Sequence, residues 1–212
     1  MPSKPDAVAA LILAGGLSSR MGQEKATLMI KSRPLISWAY DAANRFTNHI
    51  YISSHDESMT NRFRPLLPAD VVFIADLNDG PRSVLLALLS SFQSIKEEYI
   101  IVFPVDSPLI RPNLMAEMVS KSKEFDLVIP VWPDGKLEAI HAVYDREATL
   151  PVIRDLWHSR TLELWQIAKH AKKTLFISTE RLAELDPGLV SLLDADTPDE
   201  FETLKSVAAN YM

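Results

Sequence analysis

The sequence predicts an α/β fold with a mostly parallel central sheet covered by helices on both faces. Two observations predict it. Short apolar runs alternate with longer segments of helical period from the N-terminus to about residue 130. Those runs also lack the polar alternate positions of a half-solvated strand, so both of their faces need cover. The chain has 212 residues, 47% of them hydrophobic, which is enough for a sizeable core. No repeat, low-complexity tract or linker interrupts it, so a single domain over residues 1–212 is expected.

The elements follow in order. "AVAALILA" (7–14) reads as a buried strand, and "TLMI" (27–30) as a short one closed by a "KSR" turn. Pro34 suits a first helical turn, and "PLISWAYDAANRF" carries apolar residues at helical spacing. "HIYIS" (49–53) is the second main strand, "ESMTNRFRPLL" a helix and "VVFIA" (71–75) the third strand. "PRSVLLALLSSFQSI" reads as a buried helix that starts at its proline. "YIIVFPV" (99–105) is the fourth strand, "PNLMAEMVSKSKE" an amphipathic helix and "DLVIPVW" (126–132) the fifth strand. Beyond "PDGK" the rhythm changes. "EAIHAVY" reads as a strand, helices follow around 149–157 and 162–170, "TLFIS" is another strand, and a last helix is capped by Thr197 or Asp196.

Composition excludes several classes of function. A net charge of −6 argues against broad nucleic-acid binding, which relies on clustered Lys and Arg. Without cysteine there is no thiolate nucleophile, disulfide or Cys-based metal site. No segment reaches the ~18 apolar residues of a membrane span. The N-terminal apolar run is too short for a signal sequence, so the expected location is the cytoplasm.

Chemistry is concentrated in "LILAGGLSSRMGQEK", residues 11–25. It is neither a Walker A loop, since Ala26 follows Lys25, nor a G-x-G-x-x-G fingerprint. It can still wrap an anion. Gly15 and Gly16 let backbone amides approach a phosphate, Ser18 and Ser19 add donors, Arg20 offers a bidentate fork and Lys25 a point charge. Ligands of open α/β sheets bind outside the carboxyl ends of the strands. Asp76 and Asp106 lie at two such predicted ends and the glycine loop at a third, so they are expected to share one crevice.

The same stretch resembles the L-A-G-G-x-S-x-R-M-G-x-[DE]-K signature of the MobA-like nucleotidyltransferases, in particular their molybdenum cofactor guanylyltransferase branch. "KSRPLISWAYDAA", "DLNDGPRSVLLAL", "FPVDSPLI", "EAIHAVYDRE" and "LLDADTPDEFE" resemble further family segments, in the family's order and over nearly the whole chain. The resemblance implies a Rossmann-like three-layer fold. It implies Mg²⁺, GTP as nucleotide donor, molybdopterin or its molybdenum-loaded form as acceptor, and proteins of the molybdenum cofactor pathway as partners. It implies that Leu13, Ala14, Gly15 and Gly16 lie along base and ribose, and that Arg20 and Lys25 hold the phosphates. It also implies that Asp76, with Gly80 and Pro81, contacts the nucleoside side, and that Asp106 binds the metal.

An acceptor phosphate is already a nucleophile at pH 7, so positioning and fixed charge suffice and no dedicated base is needed. Mg²⁺ takes one or two carboxylates besides phosphate and water oxygens, which suits Asp106. Each residue also has a plainer reading. Asp76 suits a turn and Asp106 the cap of the Pro108 turn. Asp196 suits a helix N-cap, or the place beside one, better than a second metal ligand. His141 suits a hydrogen-bonded pocket wall or core position, and Trp132, Trp157 and Trp165 suit core packing better than stacking on a pterin.

Two segments depart from the family pattern. Its Gly-Pro-Leu-x-Gly is here Gly80-Pro81-Arg82-Ser83-Val84, near the expected base site. Its terminal Asn-x-Asn is here Asp194-Ala195-Asp196, as in cytidylyltransferase relatives. Cytidylyl transfer, transfer to a sugar or polyol phosphate, and non-catalytic nucleotide binding therefore stand as alternatives to guanylyl transfer.

Overall fold

The computed structural model describes residues 5–15, 17–18 and 23–211. β1 (Val8–Leu13) leads into a small antiparallel pair, β2 (Leu17–Ser18) and β3 (Gln23–Glu24). A 3₁₀ turn, Lys25–Thr27, connects it to the hairpin β4 (Met29–Ile30) and β5 (Arg33–Pro34). The hairpin turns at Lys31 and Ser32, both with positive φ, as a two-residue loop matching the strand twist requires. Then come α1 (Leu35–Asn44), β6 (His49–Ser54), α2 (Glu57–Phe63), β7 (Val72–Ala75), α3 (Val84–Ser94), β8 (Tyr99–Pro104), α4 (Pro112–Ser122) and β9 (Leu127–Val131). The chain closes with β10 (Ala142–Asp145), α5 (Arg146–His158), α6 (Trp165–His170), β11 (Thr174–Ser178), α7 (Thr179–Ala183) and α8 (Pro198–Tyr211).

The main sheet has seven strands in the order β11-β9-β10-β8-β1-β6-β7. All neighbours pair parallel except β10, which runs antiparallel between β8 and β9. The sheet is thus mostly parallel, as expected, and helices cover both faces. The two-residue alternation of β1 shows why its whole run is apolar. Val8, Ala10 and Ile12 pack into the cluster around α1, α2 and α4, while Ala9 and Leu11 pack into the one around α3, α5 and α6. β8 repeats this, with Tyr99, Ile101 and Phe103 on one side and Ile100 and Val102 on the other. A third cluster, with Leu35, Leu109, Phe201 and Leu204, ties α8 to α1.

Three boundaries differ from the sequence reading. α3 begins at Val84 and not at Pro81, because the Ser83 hydroxyl accepts a hydrogen bond from the Leu86 amide (3.1 Å) and caps the helix there. "EAIH" is a turn rather than the first half of a strand. The amide of Glu138 donates to the Pro130 carbonyl and that of His141 to the Glu138 carbonyl, and only Ala142–Asp145 enters the sheet. The helix expected over 162–170 starts at Trp165.

Candidate active site

β1 and β8 lie side by side, and an amide–carbonyl bond from Val105 to Leu13 (3.1 Å) holds their carboxyl ends together. Asp106 follows directly. It is buried, in a turn closed by the Ser107 amide on the Pro104 carbonyl. The buried Ser107 hydroxyl shares a 2.9 Å hydrogen bond with His141 Nε2, which fastens this turn to the start of β10. His141 is therefore the hydrogen-bonded wall residue that the sequence suggested. Its other nitrogen lies 3.7 Å from Glu138. The facing imidazole, then the Lys136 ammonium and the Trp132 indole N–H, hold the Glu138 carboxyl down at about 2 against the effect of burial.

Lys25 meets Asp106 from across the crevice. It starts the 3₁₀ turn, whose Ala26 is fully buried and fixes the turn against the core. Its ammonium pairs with both Asp106 and Asp196, the latter at 2.5 Å. Burial pulls the lysine down, but the charge and hydrogen bonds of Asp106 and then of Asp196 push it above its ordinary value. Asp194 completes the acidic rim. Burial and then the charge of Asp106 raise its pKa.

Asp196 does not cap α8. The cap is Thr197, whose Oγ1 accepts from the Glu200 amide (3.3 Å). The Glu200 carboxylate accepts from the amides of Asp196 and Thr197, both at 2.9 Å. This reciprocal box satisfies the helix start without the Asp196 side chain, which is left to reach Lys25. Of the two caps the sequence offered, Thr197 is the one used, and Asp196 is its neighbour.

On the other side of β1, Gly15 borders a cavity of about 270 Å³ with Leu13, Ser53, His55, Arg82, Val84 and Ala87. A Cβ on Gly15 would stand 2.9 Å from His55 Cε1, so the imidazole occupies the space that glycine leaves. Asp76 is not next to the glycine loop, since β6 separates β7 from β1. Its side chain is buried, and its Oδ2 lies 2.8 Å from His55 Nδ1. Burial raises the Asp76 carboxyl, and the imidazole partly offsets this. Arg82 pairs with Asp56 at 3.0 Å. Gly80 and Pro81 line a separate cavity with Trp157, whose indole N–H donates to Asp79 (2.9 Å). Gly80 has φ +131, which glycine alone adopts readily.

A third cavity, of about 550 Å³, opens on the β10 side between Val84, Lys136, Leu137, Glu138, Trp165 and Asp194. Val84, 43% exposed, borders both this cavity and the one at Gly15. Trp157 is packed as expected, but Trp165 is not a core residue. It is 48% exposed on the cavity wall, because the short α6 buries only Ile167 and Ala168. Ala14 is buried behind Gly15, and its amide donates to the Ser53 carbonyl. Gly16 and Arg20 lie outside the described residues. Lys25 and Asp106 are thus in direct contact, and Leu13, Gly15 and Asp76 gather around His55, which the sequence reading had missed.

A family model described as the MobA-like NTP transferase domain matches residues 10–175. A probable molybdenum cofactor guanylyltransferase of Natranaerobius thermophilus is 29% identical over 203 residues, covering 93% of this chain and 94% of its own. A molybdenum cofactor guanylyltransferase of Desulfosudis oleivorans is 29% identical over 199 residues, with the same coverage. Molybdopterin-guanine dinucleotide biosynthesis protein A of Archaeoglobus fulgidus superposes with a TM-score of 0.82 at 19% identity, over 95% of this chain and 99% of that one. With the family model spanning most of the chain, and with the α/β sheet and loop architecture described above, the protein belongs to the MobA-like NTP transferase family.

Proposed function

We propose that the protein transfers GMP from GTP to molybdopterin and releases pyrophosphate. One observation carries this reading: at the carboxyl edge of β1 and β8, a lysine ammonium is wedged between Asp106 and Asp196. Two carboxylates already gathered about a cation form the hard oxygen donor set that Mg²⁺ prefers. Asp106 and Asp196 would hold the ion, which would neutralise charge on the phosphates undergoing transfer. Lys25 would then serve the triphosphate together with Arg20.

Placement supports the remaining roles. Leu13, Gly15 and the cavity beside them receive the base, and Asp76 acts there behind His55. The cavity walled by Trp165 and Lys136 receives the body of the acceptor, with an exposed indole for a flat ring and an ammonium for its charge. The acceptor phosphate attacks the α-phosphorus, and the bond to the pyrophosphate oxygen breaks. Burial of Asp106 and fixation of its turn by Ser107 and His141 pre-organise the charge that this step needs. The names of the relatives from Natranaerobius and Desulfosudis, both molybdenum cofactor guanylyltransferases, support guanylyl transfer.

The aspartates at 194 and 196 favour cytidylyl transfer as a second reading. Pyrophosphate release is to be measured with Mg²⁺, molybdopterin and each of GTP, CTP, UTP and ATP. Guanylyl transfer predicts release with GTP at least tenfold faster than with the others. Faster release with CTP would replace it by the second reading, and GTP binding without release under any acceptor would leave a binding protein.

A further inference from the structure

We infer that His55, oriented by Asp76, reads the nucleobase through a hydrogen bond accepted at Nε2. This rests on the nucleotide-transfer reading and adds a specificity residue to it. The imidazole lines the cavity beside Gly15 and comes so close that a Cβ at position 15 would meet three of its ring atoms between 2.9 and 3.2 Å. Whatever lies along the glycine loop therefore lies against His55.

The ring is not free to choose its orientation. Nδ1 is 2.8 Å from Asp76 Oδ2, and because an ionised carboxylate can only accept, the shared proton sits on Nδ1. In the neutral imidazole this fixes the tautomer and leaves Nε2 as a bare acceptor. Among the described residues Nε2 makes no hydrogen bond. Of the other polar side chains around the cavity, Ser83 Oγ accepts from the Leu86 amide and Arg82 is paired with Asp56, while Ser53 sits at the end of β6 two residues before the imidazole. Leu13, Val84 and Ala87 make the rest of the wall apolar, which suits the face of a base better than a ribose. A fixed acceptor in an apolar slot selects an edge that donates, as guanine does with its 2-amino group. A base presenting a carbonyl there would leave two acceptors facing each other unpaired, and such unpaired groups discriminate strongly.

The test compares GTP with ITP, which lacks only the 2-amino group, by kcat/KM of pyrophosphate release. The wild-type protein is expected to favour GTP by about tenfold or more, and His55→Ala to bring the ratio near one through a higher KM for GTP. His55→Gln, whose amide oxygen still accepts, should restore part of the preference. Asp76→Asn, which removes the charge that orients the ring, should lower the ratio without reaching the alanine value. A wild-type protein indifferent to the 2-amino group, or a GTP/ITP ratio unchanged in a folded His55→Ala protein, overturns the inference. If CTP proves to be the donor, the guanylyl reading fails separately. His55 is then judged on CTP against UTP, which exchanges an amine for a carbonyl: loss of that preference in His55→Ala sustains its role, and retention ends it.

Discussion

At the scale of single residues, the site is an arrangement of like charges held together by one lysine. Asp106 is buried, Asp194 is exposed at the rim, and both share the neighbourhood of Asp196 and Lys25. Replacing Lys25 or Asp106 by alanine is expected to lower turnover by about a hundredfold or more, the scale seen when one fixed electrostatic partner of a transition state is removed. Unchanged pyrophosphate release in either folded variant would refute the role given to it. Asp194 leads to a second expectation. Its carboxyl holds its proton more tightly when folded than when unfolded, so the folded state binds more protons and loses stability as pH rises past the ordinary aspartate value. Asp194→Asn should therefore raise the melting temperature at pH 7 and leave it unchanged near pH 3. An equal gain at both pH values would mean that charge is not the cause. Sequence made Lys25 and Asp106 legible because they sit in motif and strand-end positions. It missed His55, although His55 follows β6 just as Asp76 follows β7, because no motif marks it and its contact with Asp76 spans twenty-one positions.

At the scale of elements, what could be read was what is local. Strands apolar on both faces, helices of clear period and the Ser-Pro and Thr-Pro boundaries come from nearest-neighbour chemistry, and they stand within a few residues of where the sequence put them. The insertion of β10 between β8 and β9 depends on a pairing choice made far along the chain, and no local pattern encodes it. The start of α8 shows how an element serves the site. Its reciprocal box spends Thr197 and Glu200 on the helix start and leaves Asp196 for Lys25. Thr197→Ala is expected to cost about 1 kcal/mol of stability by chemical denaturation. It should also weaken the Mg²⁺ dependence of turnover, because the residue beside the cap loses its anchor. A stability loss with an unaltered Mg²⁺ response would separate the helix from the site.

At the scale of the whole molecule, the sheet order divides the labour. The β6 side carries Gly15, His55 and Asp76, the β10 side carries Lys136, Glu138 and Trp165, and the β1–β8 seam between them carries Asp106. The reversed strand β10 has a consequence for the order in which the chain assembles. β9 cannot join β8 directly, so no strand beyond β8 is secured to the sheet until residues 142–145 have found their slot. The β1–β6–β7–β8 half, by contrast, is complete in sequence by residue 104 and needs no later strand for the pairings within it. Contacts of long sequence separation close late. Pulse-labelled hydrogen exchange during refolding should therefore protect the amides of β1, β6 and β8 before those of β9 and β11, whereas simultaneous protection would speak for one concerted step. A growing chain would thus hold its nucleotide-side cradle well before it could bring Asp196 to Lys25, and competence for transfer would be the last property it acquires.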